Sequence, residues 1–283
     1  MLPQRDLRSH PEALAAWSRR VQRIFEDAFQ PAPHLKPSEW AEEHRVITQG
    51  PMRGQAWTNA QTPYLVEIMD FIAAPWARRG VVRKSSRVGY TEGVIGNAFG
   101  WTVAMDPCPI AIVLPDDEEA KDFSKEHLTP FLEEHAGVGS RIGPLGIRSS
   151  ASTLTHKEFP GGYLAVLGAA SDKHMRRRSL KRLLVDEVDA IKLGSIEGDP
   201  LIRFEKRTDD YADDGAVMMV GSTPTVVGLS RIDREFAKSD QRYWHVPCPH
   251  CRELQVLRWG GLDQPFGLKW SKEFFCRGCG AET

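Results

Sequence analysis

Residues 84–91 read Lys-Ser-Ser-Arg-Val-Gly-Tyr-Thr, and an apolar run further on ends in Asp186-Glu187. Gly89 and Thr91, behind the apolar pair Val81-Val82, have the layout of a phosphate-binding loop. In such a loop consecutive backbone N–H groups and a helix N-terminus surround an anion. The usual order G-x-x-x-x-G-K-[ST] is altered twice. Lys84 stands at the first glycine position and Tyr90 at the lysine position. The backbone donors of Ser85, Ser86, Arg87, Val88 and Gly89 do not depend on that exchange, and the Thr91 hydroxyl suits Mg²⁺. What Tyr90 removes is the cation on the outer phosphates. Lys84, or else Arg87, can supply it from the other end of the loop, since a long flexible stem can fold back over the phosphates. Read alone, the stretch is more simply a plain strand–turn–helix.

A second element changes that balance. Residues 181–190 read KRLLVDEVDA, an apolar strand ending in two carboxylates. A nucleotide hydrolase needs such a pair at a strand's C-terminal edge, with Asp186 for Mg²⁺ and Glu187 to orient and deprotonate water. The plain alternative is a strand ending in a solvated acidic turn. Two apolar runs separate the loop from this pair, which fits two sites on one sheet. A third element, VMMVGSTPT over 217–225, carries a buried run into Ser222, Thr223, Pro224 and Thr225. The Ser222 and Thr223 hydroxyls are donors of the right size to sense a terminal phosphate, although alone this would be an ordinary turn.

The elements that must hold these residues can be read from short apolar runs at 81–82, 110–114, 163–167, 183–185 and 217–220. They are too apolar to alternate, and helix-compatible segments lie between several of them. That pattern predicts a mostly parallel sheet covered on both faces, an α/β domain over 46–243. Before it, Leu14, Trp17, Val21, Ile24, Phe25 and Ala28 recur at helical spacing behind Pro11 and predict an amphipathic helix within an N-terminal segment, 1–45. It reads as a packing helix or a partner-binding one.

From 244 to 283 the texture changes to cysteine, tryptophan and glycine. Cys248/Cys251 and Cys276/Cys279 form two C-x2-C pairs with 24 residues between them. Two such knuckles close a tetrahedral thiolate site, the signature of a structural Zn²⁺ ribbon with no open position for catalysis. His250, inside the first knuckle, reads as a bystander. The ribbon could serve as a DNA or subunit contact. Residues 173–182 hold six Lys/Arg directly before the acidic strand. Arg176, Arg177 and Arg178 there suit a grip on DNA phosphates, an arginine finger toward a neighbouring nucleotide, or a solvated loop.

Formal net charge is −1 over 283 residues, so overall balance points to neither nucleic acid nor membrane. No apolar run reaches the roughly 18–20 residues of a membrane span. The N-terminus lacks the pattern of a secretory signal. A cytoplasmic, reducing setting and no membrane partner are expected.

Taken in order, these stretches resemble the large subunit of a tailed-phage DNA-packaging terminase of the lambda type. KSSRVGYTE resembles that family's variant phosphate loop with its lysine at the start, LLVDEVDA its Mg²⁺-binding strand, and GSTPT its coupling motif. GQAWTNAQTPYLVEIMD resembles the adenine-region segment, which makes Trp57, Gln61 and Tyr64 candidates for the base. The likeness spans about 40–283. It implies an additional-strand, RecA-like P-loop fold and Mg-ATP hydrolysis coupled to movement of duplex DNA into a procapsid. By resemblance Lys84 contacts the phosphates, Arg87 is a further cation, and Glu187 activates water. Implied partners are double-stranded DNA, the portal, a small terminase subunit and copies of the chain in a ring, in the host cytoplasm. The family's nuclease, which follows the ATPase, has no match here, so the chain reads as an N-terminal fragment. Two other readings stay open: a helicase-like ATPase, and a zinc-stabilised DNA-binding or scaffold module that does not hydrolyse ATP.

Overall fold

The computed structural model describes residues 17–18, 21, 34–142, 153–169, 177–192, 198–258, 267–268 and 274–281. The chain divides into two compact units, Met1–Lys36 and Pro37–Thr283. The expected amphipathic helix falls almost wholly outside the described residues, as does Arg176. The second unit carries the three motifs and the cysteine pairs.

Its centre is a six-stranded sheet. The strands are β1 (Arg79–Arg83), β2 (Ile110–Leu114), β3 (His156–Phe159), β4 (Gly162–Gly168), β5 (Arg182–Val185) and β6 (Val217–Ser222), in spatial order β1-β6-β5-β2-β4-β3. All neighbours are parallel except β3, which pairs antiparallel with β4. The expected α/β sheet is therefore present, and β6 lies between the strand that ends in the loop and the one that ends in the acidic pair. Every residue of β2, β5 and β6 is buried. Burial on both faces explains their continuous Ile, Val, Leu and Met runs, each large side chain contributing about 1.5–3 kcal/mol. Edge strand β3, His-Lys-Glu-Phe, has no such run, and the apolar pattern did not reveal it.

The described helices are α1 (Pro37–His44), α2 (Pro63–Phe71), α3 (Asn97–Met105), α4 (Asp117–Phe123), α5 (Thr129–Glu134), α6 (Ala136–Ile142), α7 (Pro200–Glu205) and α8 (Arg231–Ala237). Local caps start several of them. Asp116 accepts the Glu118 and Glu119 N–H groups at 2.9 Å, with three carboxylates in the first turn of α4 complementing the helix dipole. Asp199 does the same for Leu201 ahead of Pro200, and Ser230 for Asp233. Beyond the sheet, β7 (His245–Pro247) pairs antiparallel with β8 (Leu254–Val256), and β9 (Gly267–Leu268) with β10 (Phe274–Phe275). Among the described residues, no helix is long and apolar enough to cross a membrane.

Candidate active site

Parallel pairing delivers the three sequence elements to one edge of the sheet. Register sets Arg83 opposite Ser222 and Val185 opposite Val220, so Lys84, Asp186 and Ser222 emerge side by side. The Lys84 N–H donates to the Ser222 carbonyl at 3.0 Å and extends that pairing one step into the loop. Ligands of open α/β sheets bind outside the carboxyl ends of the strands, which is where these residues stand.

The Lys84 side chain is 8% exposed. Its Nζ lies 2.6 Å from Glu187 Oε1 and 3.3 Å from Asp186 Oδ1. Asp186 is buried, and burial raises its carboxyl above the ordinary range; Lys84 pulls it down and Glu187 pushes it up. Glu187 takes a positive φ of 50°. A non-glycine residue there costs about 1–3 kcal/mol, strain of the kind that collects at functional sites. Its N–H donates to Asp186 Oδ1 at 2.9 Å, and its Oε2 accepts the Ser222 hydroxyl at 3.4 Å. Glu187 is thus tied to both the loop lysine and the third motif.

The loop itself is open. Ser85, Ser86, Arg87 and Gly89 are exposed and Val88 is half-buried. Arg87 at φ 59° and Gly89 at φ 77° give the backbone the left-handed steps that turn N–H groups toward an anion. Tyr64 donates its hydroxyl to the Val88 carbonyl at 3.0 Å and bears edge-on against Trp244. Gln61 is exposed nearby in sequence, whereas Trp57 is buried, with its Nε1 on Asn59 and its ring against Gly93. Trp57 packs in the core.

Tyr90 is only 4% exposed, the reverse of a residue pointing into solvent or phosphate. The helix it opens begins with a π-helical turn, Thr91–Gly96, a rare geometry often found at functional sites. The Thr91 hydroxyl and the Asp186 carboxylate are hard oxygen donors, the set that suits Mg²⁺.

Several contributors had no motif to announce them. Asp189 accepts both the N–H and the hydroxyl of Thr225 at 3.1 Å, and the Ile232 N–H at 2.8 Å. It anchors the segment after β6 to the segment after the acidic pair. Thr223 and Pro224 are half-buried between these anchors. Glu119 in α4 is raised by burial and by the negative charge of Asp116, Glu187 and Asp186. Arg45 is 2% exposed and pairs with Glu92 at 2.7 Å, the residue directly after Thr91. It also donates to Asn97 Oδ1 at 2.9 Å.

His135 completes that network as a neutral ring. Its Nδ1 faces the Phe131 carbonyl at 2.7 Å and therefore carries the proton, while Nε2 accepts the Val46 N–H at 2.9 Å. Burial, and then the Arg45 charge, hold its pKa below the usual imidazole value. The folded value lies under the unfolded one, so the stability due to neutral His135 is complete above about pH 6.5 and is lost as pH falls through the folded value. Urea unfolding should show a decline in stability beginning below about pH 6.5, and His135→Gln should flatten it. An unchanged slope in the variant would refute this assignment.

Of the basic run, Lys181 pairs with Asp106 and Asp214 at 3.4 Å, and buried Arg182 binds Asp106 and lies over Trp101. These two serve the fold, not an open positive field. Arg178 lies over the Tyr163 ring, 5.3 Å from its centroid, beside Arg177.

The cysteines converge. Cys248 Sγ lies 3.9 Å from Cys279 Sγ and Cys251 Sγ 3.6 Å from Cys276 Sγ, all four within 4.8 Å of one another. Four thiolates at 2.3 Å from a tetrahedral centre would stand about 3.8 Å apart, so the set fits Zn²⁺. N–H groups of His250, Gly278 and Cys279 point at the sulfurs, and the His250 ring stays outside the cluster.

Comparison with known proteins agrees with this arrangement. Residues 52–283 match the family model of the phage terminase large subunit gpA, ATPase domain. The large terminase subunit of Escherichia phage lambda is 29% identical over 249 residues, covering 87% of this chain and 38% of that protein. The large terminase subunit of Enterobacteria phage P21 is 29% identical over 246 residues, covering 86% and 37%. This chain therefore spans less than two-fifths of the length of those relatives. The HK97 bacteriophage large terminase shares the fold at a TM-score of 0.54 and 12% identity, over 72% of this chain and 41% of that one. By its ordered motifs, its sheet and the match over most of its length, the chain belongs to the phage terminase large subunit gpA family, of which it carries the ATPase domain.

Proposed function

We propose that this chain is the motor part of a packaging terminase, coupling Mg-ATP hydrolysis to movement of duplex DNA into a procapsid. The observation that supports it most is the Lys84 ammonium between Asp186 and Glu187, with the Ser222 hydroxyl on the far oxygen of Glu187. ATP binds with its phosphates over the Ser85–Thr91 backbone. Lys84, with Arg87 as a second cation, stabilises charge on the γ-phosphoryl group as it transfers. Glu187 orients a water, accepts its proton as the oxygen attacks phosphorus, and ADP departs with the electrons of the broken bond. Mg²⁺, held by Thr91 and Asp186, would neutralise phosphate charge. Loss of the γ-phosphate alters the charge facing Glu187, and Ser222 carries that change into the Thr223–Thr225 segment, which Asp189 ties to the acidic turn.

Arg176, Arg177 and Arg178 are the candidates for a DNA grip or for a finger toward a neighbouring subunit in a ring. Gln61, exposed, and Tyr64, tied to the loop at Val88, are the candidates for contact with the adenine base. The four cysteines hold Zn²⁺ as a structural staple. The portal and a small terminase subunit are the remaining partners. ATP turnover measured with and without duplex DNA tests this reading. Mg²⁺-dependent hydrolysis that rises with duplex, without strand separation, supports it. Strand separation would favour a helicase, and no turnover at high protein concentration with DNA present would favour a scaffold.

A further inference from the structure

Tyr90 replaces the lysine of the usual loop and, read from sequence, only subtracts a charge. Its surroundings give it a different part. The ring is buried at the start of the loop helix. On one side the Lys84 ammonium stands 5.2 Å from the ring centroid. At its outer end the ring meets Gly221 of β6. A Cβ added at Gly221 would fall 2.7 Å from Tyr90 Cε1, Cζ and the hydroxyl oxygen, closer than real Cβ contacts come. Only glycine leaves room for that ring.

We propose that Tyr90 is the positioning residue for Lys84, and that its fit against Gly221 joins the phosphate loop to the strand carrying Ser222. The electron-rich face of an aromatic ring attracts an ammonium, and does so more strongly away from water. Lys84 starts from the wrong end of the loop and has four methylenes of freedom. The two carboxylates attract it, but they fix neither its height above the sheet nor its approach. The Tyr90 ring forms the floor that does. Because the same ring abuts Gly221, the neighbour of Ser222 in β6, a shift of Lys84 toward a phosphate is felt at the strand behind Glu187. Burial, then Asp186 and Glu187, hold the phenol well above its usual pKa, so the ring stays neutral. The contact with the Lys84 ammonium is made by the face of the ring, which is therefore the working part.

The catalytic side of this proposal rests on the ATPase reading; the placement of Lys84 does not. The test compares wild type with Tyr90→Phe, Tyr90→Leu, Gly221→Ala and the double variant Tyr90→Leu/Gly221→Ala. Thermal melting accompanies each, so that a misfolded variant is recognised and the others decide. Labelling of Lys84 by an amine-acylating reagent, followed by mass spectrometry in nucleotide-free protein, reads the lysine's placement directly. ATP turnover reads its consequence. Expected results are faster Lys84 labelling and a kcat/KM for ATP lowered about ten- to a hundredfold in Tyr90→Leu and in Gly221→Ala. Tyr90→Phe should behave as wild type in both assays. The double variant should lose little more than either single one, because both disturb one contact. Unchanged Lys84 labelling in Tyr90→Leu and Gly221→Ala would overturn the proposal, as would a Tyr90→Phe defect equal to that of Tyr90→Leu. Should wild type itself fail to hydrolyse ATP, the ATPase reading falls, and the labelling result still decides the placement of Lys84.

Discussion

Glu187→Gln is expected to lower kcat for ATP hydrolysis by about 10²- to 10⁴-fold, the usual contribution of a positioned general base. The substitution is nearly isosteric. The glutamine oxygen can still face Lys84, and its amide can still meet Ser222, so the local hydrogen bonding survives. Asp186 and Lys84 remain, and ATP affinity should therefore stay within a few-fold of wild type. What is removed is the acceptor for the proton of the attacking water. Single-turnover hydrolysis together with equilibrium ATP binding separates the two effects. Wild-type turnover in the variant would move water activation to another group, and Glu119 would be the first to examine.

The second large effect concerns stability. Arg45→Ala is expected to destabilise the fold by about 3–5 kcal/mol, the penalty for breaking one side of a buried ion pair. The Arg45 side chain is 1% exposed, and its loss strands Glu92, Asn97 Oδ1 and the Phe131 face that now carries the guanidinium at 4.4 Å. Among the described residues Glu92 would keep Thr48 and His127 as partners. Although burial opposes it, His127 and Arg45 at present hold the Glu92 carboxyl below its usual value, and losing Arg45 should let it rise. For a unit of this size the melting temperature should fall by roughly 10 °C. A paired replacement, Arg45→Met with Glu92→Leu, should recover much of the loss, since apolar residues of similar volume often match a buried ion pair. A single-variant change within about 0.5 kcal/mol, the range of ordinary surface substitutions, would show that the pair is not a structural anchor. Because Glu92 directly follows Thr91, the same variant is expected to weaken ATP binding.

These two cases also mark what the amino-acid order makes legible. Parallel strands buried on both faces announce themselves as unbroken apolar runs, and β2, β5 and β6 were readable for that reason. Edge strand β3 was not, because His156, Lys157 and Glu158 need no apolar partner where one side of the strand is free. Lys84, Asp186 and Ser222 could be found because each stands at the end of a strand in a recognisable residue type, and Gly89 because it follows Lys84 at a loop's spacing. Arg45, Glu92 and His135 could not, because they are far apart in sequence and meet only through packing. Trp57 is a candidate for the base by resemblance alone, and its burial against Gly93 is a tertiary fact. Tyr90 looked like a loss, because a motif records which side chain is missing and not what the replacement touches. The thiolate cluster lies at the other extreme, since two close cysteine pairs leave few other ways to be used.

The central claim is that Lys84, displaced to the start of the loop, performs the work normally done by the lysine beside the second glycine. Its most direct test is the equilibrium affinity for ATP in the presence of Mg²⁺, measured for wild type and for Lys84→Ala at matched thermal stability. Removing a charge-assisted contact to phosphate should weaken binding about ten- to a hundredfold. Loss of the ammonium should also let the buried Asp186 carboxyl rise further, which deepens the defect as pH falls. Arg87→Ala, at an exposed position, should cost less. If the relocated lysine does this work, Lys84→Ala should lose ATP while remaining folded. A folded Lys84→Ala protein that binds ATP as tightly as wild type would contradict it.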